Sequence, residues 1–319
     1  MVSAFQPVPE IYPRSEFGLA GLSCTIHSNS IELLDGIAAV QPRRNEGSPG
    51  FTFRVDARSD VRRGSAEQSH YRGLGNLVCA MFGDDELFVF DLINGDVRAI
   101  VSLATASDVE FWLHTIFPMT LGVLGLSRGL VPLHSACLAR PGHGLLLAGE
   151  SGAGKSTLAV ALAQNGWSLL SDDWTYLTID SSTLLARGTE VPVKLLEDAS
   201  ALFPELHAHK PRRSLNGELA FEVPADALNI NFVSECIPHR LVFIERNQSG
   251  KTKLEPCDSG YTASFFLRWA ENLPDEISER ANDLRLKIIS RVASLDCWRL
   301  SYSGSPSVGA AAINELGGL

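Results

Sequence analysis

Apolar and polar positions alternate through much of the first hundred residues. Phe51-Thr52-Phe53-Arg54-Val55 has the two-residue period of a half-buried strand, and Glu86-Leu87-Phe88-Val89-Phe90-Asp91-Leu92 is a second β run. Asn94-Gly95 separates that run from Val97-Arg98-Ala99-Ile100-Val101, which predicts a hairpin. The stretch from Arg58 to Arg72 is polar and basic and reads as a loop. Between Ser107 and Leu126 the period lengthens: Phe111, Trp112, Thr115, Ile116, Met119 and Val123 recur at helical steps. Ser107 and Glu110 have the spacing of a capping box at the start of this helix, and Pro118 should kink or split it.

Past Arg128-Gly129 the pattern changes. Leu130 to Ala139 reads as one strand, Pro141-Gly142-His143-Gly144 as a turn, and Gly144-Leu145-Leu146-Leu147-Ala148 as a fully apolar strand. A glycine-rich loop follows, then a helix from Lys155 to Gln164 stopped by Asn165-Gly166, and a strand from Trp167 to Ser171. Strand, loop, helix and strand make the βαβ unit of an α/β nucleotide-binding domain. Further on, Trp174–Ile179 and Arg240–Glu245 predict strands. Pro274-Asp275-Glu276 opens a helix whose Ile277, Ala281, Leu284, Ile288, Val292 and Leu295 form a core-facing stripe.

Length and composition narrow the class. The chain has 319 residues, 45% hydrophobic and 20% charged, enough for two domains with real cores. We place them at 1–125, a strand-rich α+β domain with a substrate-binding or regulatory role, and at 126–319, an α/β catalytic domain. A net charge of −10 argues against nucleic acid or an anionic membrane as partner. Cys24, Cys79, Cys137, Cys236, Cys257 and Cys297 form no CxxC pair, so reduced thiols in a cytoplasm are expected. The N-terminus has no signal-peptide pattern, and the longest apolar stretch, Ile116–Leu126, is too short to span a bilayer. These features predict a cytoplasmic protein.

The chemistry concentrates after the apolar strand. Gly149-Glu150-Ser151-Gly152-Ala153-Gly154-Lys155-Ser156 is a G-x-x-x-x-G-K-S phosphate-binding pattern, continued by Thr157. Glycines let successive N–H groups face one anion, and the helix N-terminus adds partial positive charge. Lys155 would deliver a cation to the β and γ phosphates of ATP, and the Ser156 hydroxyl would ligate Mg²⁺. Asp172-Asp173 closes the next strand and would stand beside that loop if the two strands are neighbours. Two adjacent carboxylates permit one to serve a metal and the other to take a proton from an attacking hydroxyl; in the blander reading Asp173 caps a turn.

Leu133-His134-Ser135-Ala136, Gly149 to Thr157 and Ser171-Asp172-Asp173 together resemble the catalytic domain of the HPr kinase/phosphorylase family. The resemblance implies that Asp173 is the general base for a serine hydroxyl, that Asp172 and Ser156 serve the metal, that Lys155 serves the phosphates, and that His134 supports the carboxylates. The chain has Thr157 where the family has Glu, and Leu185-Ala186-Arg187-Gly188 where it has Glu-x-Arg-Gly, with Glu190 nearby. It looks more like the divergent members of that group, some of which phosphorylate a serine on a peptide, including the C-terminal serine of lasso-peptide precursors. The family's oligomeric habit implies a homo-oligomer.

His207-Ala208-His209-Lys210-Pro211-Arg212-Arg213 is the one basic patch of the second half. Lys210, Arg212 or Arg213 would neutralise the transferring phosphoryl group or grip an acidic peptide terminus; the alternative is a solvated loop. The expected activity is therefore an ATP- and Mg²⁺-dependent serine kinase acting on a peptide or small protein. A carrier-protein kinase of the HPr type and a nucleotide-sensing protein that transfers no phosphate are the alternatives. The signature L-S-G-G-Q of transporter ATPases and the N-K-x-D of GTPases are missing.

Overall fold

The computed structural model describes residues 12–41, 48–64, 69–189, 191–213, 218–247, 249–268 and 278–316. The chain divides into two compact units between Arg128 and Gly129. In the first, β1 (Arg14–Leu19), β2 (Leu22–Ser28), β3 (Ser48–Arg58), β4 (Ser69–Leu74), β5 (Leu77–Phe82), β6 (Glu86–Asp91) and β7 (Asp96–Ser102) form one sheet in the order β1-β2-β3-β7-β6-β5-β4. Alternation decides the faces: β3 buries Phe51, Phe53, Val55 and Ala57 and turns the residues between them away. β6 and β7 make the predicted hairpin. Gly95 takes a φ of 71° in its turn, and Asp91 Oδ1 accepts the N–H groups of Ile93 and Asn94.

Helix α1 (Ile31–Val40) links the parallel strands β2 and β3; Ser30 caps it by accepting the Leu33 N–H, while Leu33, Leu34 and Ile37 face the core. The expected loop from Arg58 to Arg72 is shorter than the composition suggests, because Ser69–Leu74 pairs with β5 as an edge strand. Nearly every β4 side chain is exposed, so no alternation marks it.

The helical run after β7 is composite: α2 (Leu103–Ser107), α3 (Val109–Phe111), a π turn over Trp112–Ile116, and α4 (Phe117–Leu124). Asp108, not Ser107, caps α3 by accepting the Phe111 N–H, and the Ser107 hydroxyl donates back to Ala104 O. Pro118 does not split the run. It falls in the first turn of α4, just after the wider π turn, where Phe117 N–H reaches Trp112 O. The stretch Val109–Arg128 is long and apolar enough to cross a membrane by length and composition, more than Ile116–Leu126 implied, but half of it is buried in the protein. Phe117 lies 5.1 Å from Phe17 and Trp112 Nε1 donates to Thr105 O, so this apolar face serves the core.

Glu86 is fully buried and its two oxygens accept the N–H groups of Gly64 and Ser102, both at 2.9 Å. Glu86→Ala is expected to cost about 2–4 kcal/mol by stranding both donors, and Glu86→Gln, which keeps one acceptor oxygen, about half as much. Guanidinium unfolding midpoints at constant slope measure both; equal midpoints for all three proteins would exclude this role.

The second unit begins at Gly129. Its elements are β8 (Val131–His134), β9 (Ala136–Arg140), β10 (His143–Ala148), α5 (Lys155–Gln164), β11 (Ser168–Ser171), β12 (Trp174–Asp180), β13 (Thr183–Arg187), β14 (Val193–Leu196), β15 (Arg212–Arg213), β16 (Leu219–Val223), β17 (Asn231–Phe232), β18 (Glu235–Cys236), β19 (Pro238–Arg246), β20 (Lys253–Pro256), α6 (Ser259–Leu267), α7 (Ser278–Ala293), β21 (Asp296–Tyr302) and α8 (Pro306–Asn314). They build three sheets among the described residues: β17-β11-β9-β10-β19-β21-β20, β18-β13-β12-β8 and β14-β16-β15.

Two expectations change here. The strand read over Leu130–Ala139 breaks at Ser135, whose N–H turns back to Leu133 O at 2.8 Å, and its halves join different sheets. β10 and β11 are not neighbours either, because β9 lies between them, antiparallel to both. Helix α5 is buried on nearly all sides, through Leu158, Ala159, Val160, Ala161 and Leu162, which explains its Ala/Leu composition. Helix α8 approaches it closely at Gly309, where a Cβ would stand 3.1 Å from Leu158 Cδ1. All six cysteines are free, and Cys137 and Cys236 bring their Sγ atoms to 3.6 Å. The α7 start expected at Pro274-Asp275-Glu276-Ile277 lies outside the described residues, as does the Ala281 side chain; Ile288 and Val292 are buried as the stripe predicts.

Candidate functional site

The glycine loop connects the carboxyl end of β10 to α5. Gly149, Gly152 and Gly154 adopt φ values of 157°, 77° and 90°, and the last two lie where L side chains are strained. A Cβ on Gly149 would stand 2.7 Å from Ile244 O, so bulk is excluded there as well. Helices α1, α2, α3, α6 and α8 each begin on a Ser or Asp whose side chain accepts an N–H. Helix α5 begins on Gly154, with no side-chain cap. Its first amides therefore keep their positive end for something other than the protein's own side chains. Glu150, Ser151 and Gly152 are exposed; Ala153 N–H closes the loop on Glu150 O at 3.1 Å.

Lys155 is buried in the first turn of α5. Its Nζ donates to Gly149 O at 3.0 Å and Glu150 O at 3.3 Å. Burial holds its pKa below the usual lysine value, against the opposing charges of Asp173 and Glu150. Ser156 Oγ donates to the backbone oxygen of Asp172 at 3.4 Å, which joins the helix start to the end of β11 although β9 separates the strands. Thr157 completes the same turn, partly buried.

The two aspartates differ. Asp172 is buried and its Oδ2 accepts the Lys194 N–H at 3.0 Å. Burial pushes its pKa up to about 7, with the Asp173 charge adding to the rise and the Lys194 N–H opposing it. Asp173 has a side chain 55% exposed, and its Oδ1 meets His134 Nε2 at 2.9 Å. Partial desolvation pushes Asp173 up, but the His134 hydrogen bond and charge, with the charges of Lys155 and Lys194, outweigh it and leave the carboxyl below its usual range. The pair thus holds one carboxyl that gives up its proton reluctantly and one that stays ionised.

His134 reaches Asp173 because β8 and β12 pair with Trp174 directly opposite His134. Their rings lie 5.3 Å apart, and Trp174 remains 41% exposed. The register continues from Tyr176 to Arg187 and from Arg187 to Glu235, so His134, Trp174, Tyr176, Arg187 and Glu235 share one sheet face. Arg187 Nε stands 3.7 Å from Glu235 Oε2. Gly188 allows the chain to pass β11, since a Cβ there would meet Leu170 O at 2.0 Å.

The basic patch is divided. Lys210 is exposed. Arg212 lies on β15 opposite Ala220, which in turn faces Leu196 of β14, two residues from Lys194. Arg213 pairs its backbone with Leu219, and its side chain lies outside the described residues, as does Glu190. Lys194, Trp174 and Glu235 are not singled out by any motif. Trp174 was readable as an aromatic directly after the aspartates, whereas Lys194 and Glu235 arrive through sheet pairing between distant segments.

The residues present fit a nucleotide and a magnesium ion by their donor chemistry. Uncapped amides and Lys155 suit phosphate, and a hydroxyl with a neighbouring carboxylate suits a hard cation that keeps most of its ligands as water and phosphate. Among the described residues no cluster of three or more His, Cys, Asp or Glu forms a metal cage by itself.

No family model matches the chain, and no curated protein matches it. The solved structure of the Hpr(Ser) kinase/phosphatase from Coxiella burnetii is similar to it at 16% identity, over 58% of this chain and 88% of that one, with a TM-score of 0.31.

Proposed function

We propose that the second unit is an ATP-dependent kinase that transfers the γ-phosphoryl group to a hydroxyl, that of a serine in a peptide or small protein. One observation carries this reading: an exposed, ionised Asp173 held by His134 shares a site with the glycine loop and Lys155. In the reaction the acceptor oxygen bonds to the γ phosphorus, the bond from that phosphorus to the β-bridging oxygen breaks, and ADP leaves. Asp173 takes the hydroxyl proton. His134 orients that carboxylate and, by donating to Oδ1, keeps the other oxygen turned to the acceptor. The loop amides and Lys155 orient the phosphates and stabilise charge on the bridging oxygen. Ser156 and Asp172 would hold Mg²⁺, which supplies charge neutralisation of the phosphates when bound.

Incubating the protein with ATP, Mg²⁺ and serine-bearing peptides, one series ending in a C-terminal Ser, tests the proposal by mass spectrometry. A gain of one phosphate on serine is expected. Tight ATP binding with no transfer to any hydroxyl would leave a nucleotide-sensing protein instead.

A further inference from the structure

We propose that Lys194 is a second ligand of the terminal phosphate, leaving Glu218 for phosphate oxygens when ATP binds. This rests on the nucleotide reading above and adds to it a residue that no motif marks. The anchor is unusual. β14 is the edge of its small sheet, so the Lys194 N–H has no strand on that side, and it donates to Asp172 Oδ2 at 3.0 Å instead. The backbone at residue 194 is thereby fixed against the aspartate pair. Val193, Leu195, Phe221 and Val223 are buried along the opposite face of the β14–β16 pair, so the Lys194 side chain leaves on the other face.

That side chain is 32% exposed, and its ammonium pairs at 2.9 Å with Oε2 of Glu218, whose own side chain is 46% exposed. Water screens such a pair, so exchanging Glu218 for a phosphate of higher charge costs little. The charge of Lys194 favours the ionised form of both carboxyls, adding to the lowering of Asp173 and opposing the burial that still leaves Asp172 raised. Two carboxylates beside a triphosphate leave an excess of negative charge that Lys155, bound to the loop carbonyls, meets from the loop side alone. Arg187 lies on the sheet that carries His134, with its Nε 3.7 Å from Glu235 Oε2. Lys194 is the cationic residue whose backbone is tied directly to Asp172.

Calorimetric titration of the full chain with MgATP and MgADP tests this without an acceptor. Lys194→Met keeps the backbone N–H and is expected to weaken ATP about ten- to hundredfold while leaving ADP unchanged. Lys194→Arg is expected to recover most of the loss, and Glu218→Gln, which removes the carboxylate charge that competes for the ammonium, to tighten ATP but not ADP. Equal weakening of both nucleotides by Lys194→Met, or no change in ATP binding with either Lys194→Met or Glu218→Gln, would overturn the assignment. If the wild type binds neither nucleotide, the nucleotide reading itself fails; if it binds both and the variants match it, Lys194 alone is excluded.

Discussion

Lys155→Ala is expected to lower phosphoryl transfer at least about 10³-fold and to weaken ATP binding, because it removes the one full cation built into the glycine loop. The residue is 7% exposed, and its ammonium is held on Gly149 O and Glu150 O. It is a buried charge retained despite desolvation, with two carbonyls as its direct partners among the described residues. Such an arrangement is poor for stability and good for receiving an anion. Alanine should therefore leave the melting temperature near that of the wild type while the phosphate site is lost. Lys155→Arg is expected to fail as well, since a planar fork cannot take the place of a compact ammonium under the loop. Unaltered ATP affinity in Lys155→Ala would remove this residue, and the loop with it, from nucleotide binding.

How much of this was legible beforehand follows from which contacts are local. The glycine loop, α5 and the β6–β7 hairpin depend on residues close in sequence, and their spacing announces them. Helix α1 was legible too, in Ser30 followed by Ile31, Leu33, Leu34 and Ile37, but its short length hides it among strands. β4 was not, because an exposed edge strand carries no alternation. The break at Ser135 could not be read from Leu130–Ala139, where every local preference favours one strand; the division comes from pairing β8 with β12 and β9 with β10. The same pairing puts His134 beside Asp173, a contact between residues 39 positions apart that no periodicity encodes. The Lys194 contact to Asp172 belongs to the same class.

The sharpest test of the chemistry lies at Asp173. Asp173→Asn is expected to reduce phosphoryl transfer by about 10²–10⁴ with ATP binding retained. Asparagine has the same shape, and its carbonyl oxygen can still accept from His134 Nε2 in place of the carboxylate oxygen at 2.9 Å. It cannot take a proton from the acceptor, so ground-state geometry survives while the base is lost. His134→Gln, by contrast, leaves the carboxylate in place and removes only the group that orients it, so a smaller loss is expected, on turnover more than on acceptor KM. Single-turnover rates with a phosphorylatable peptide separate the two. If Asp173→Asn turns over at the wild-type rate, the proton goes elsewhere, and the Asp173–His134 contact is a structural tie between β8 and the end of β11. If His134→Gln proves the more damaging of the two, the histidine moves the proton itself and the roles in the dyad are reversed.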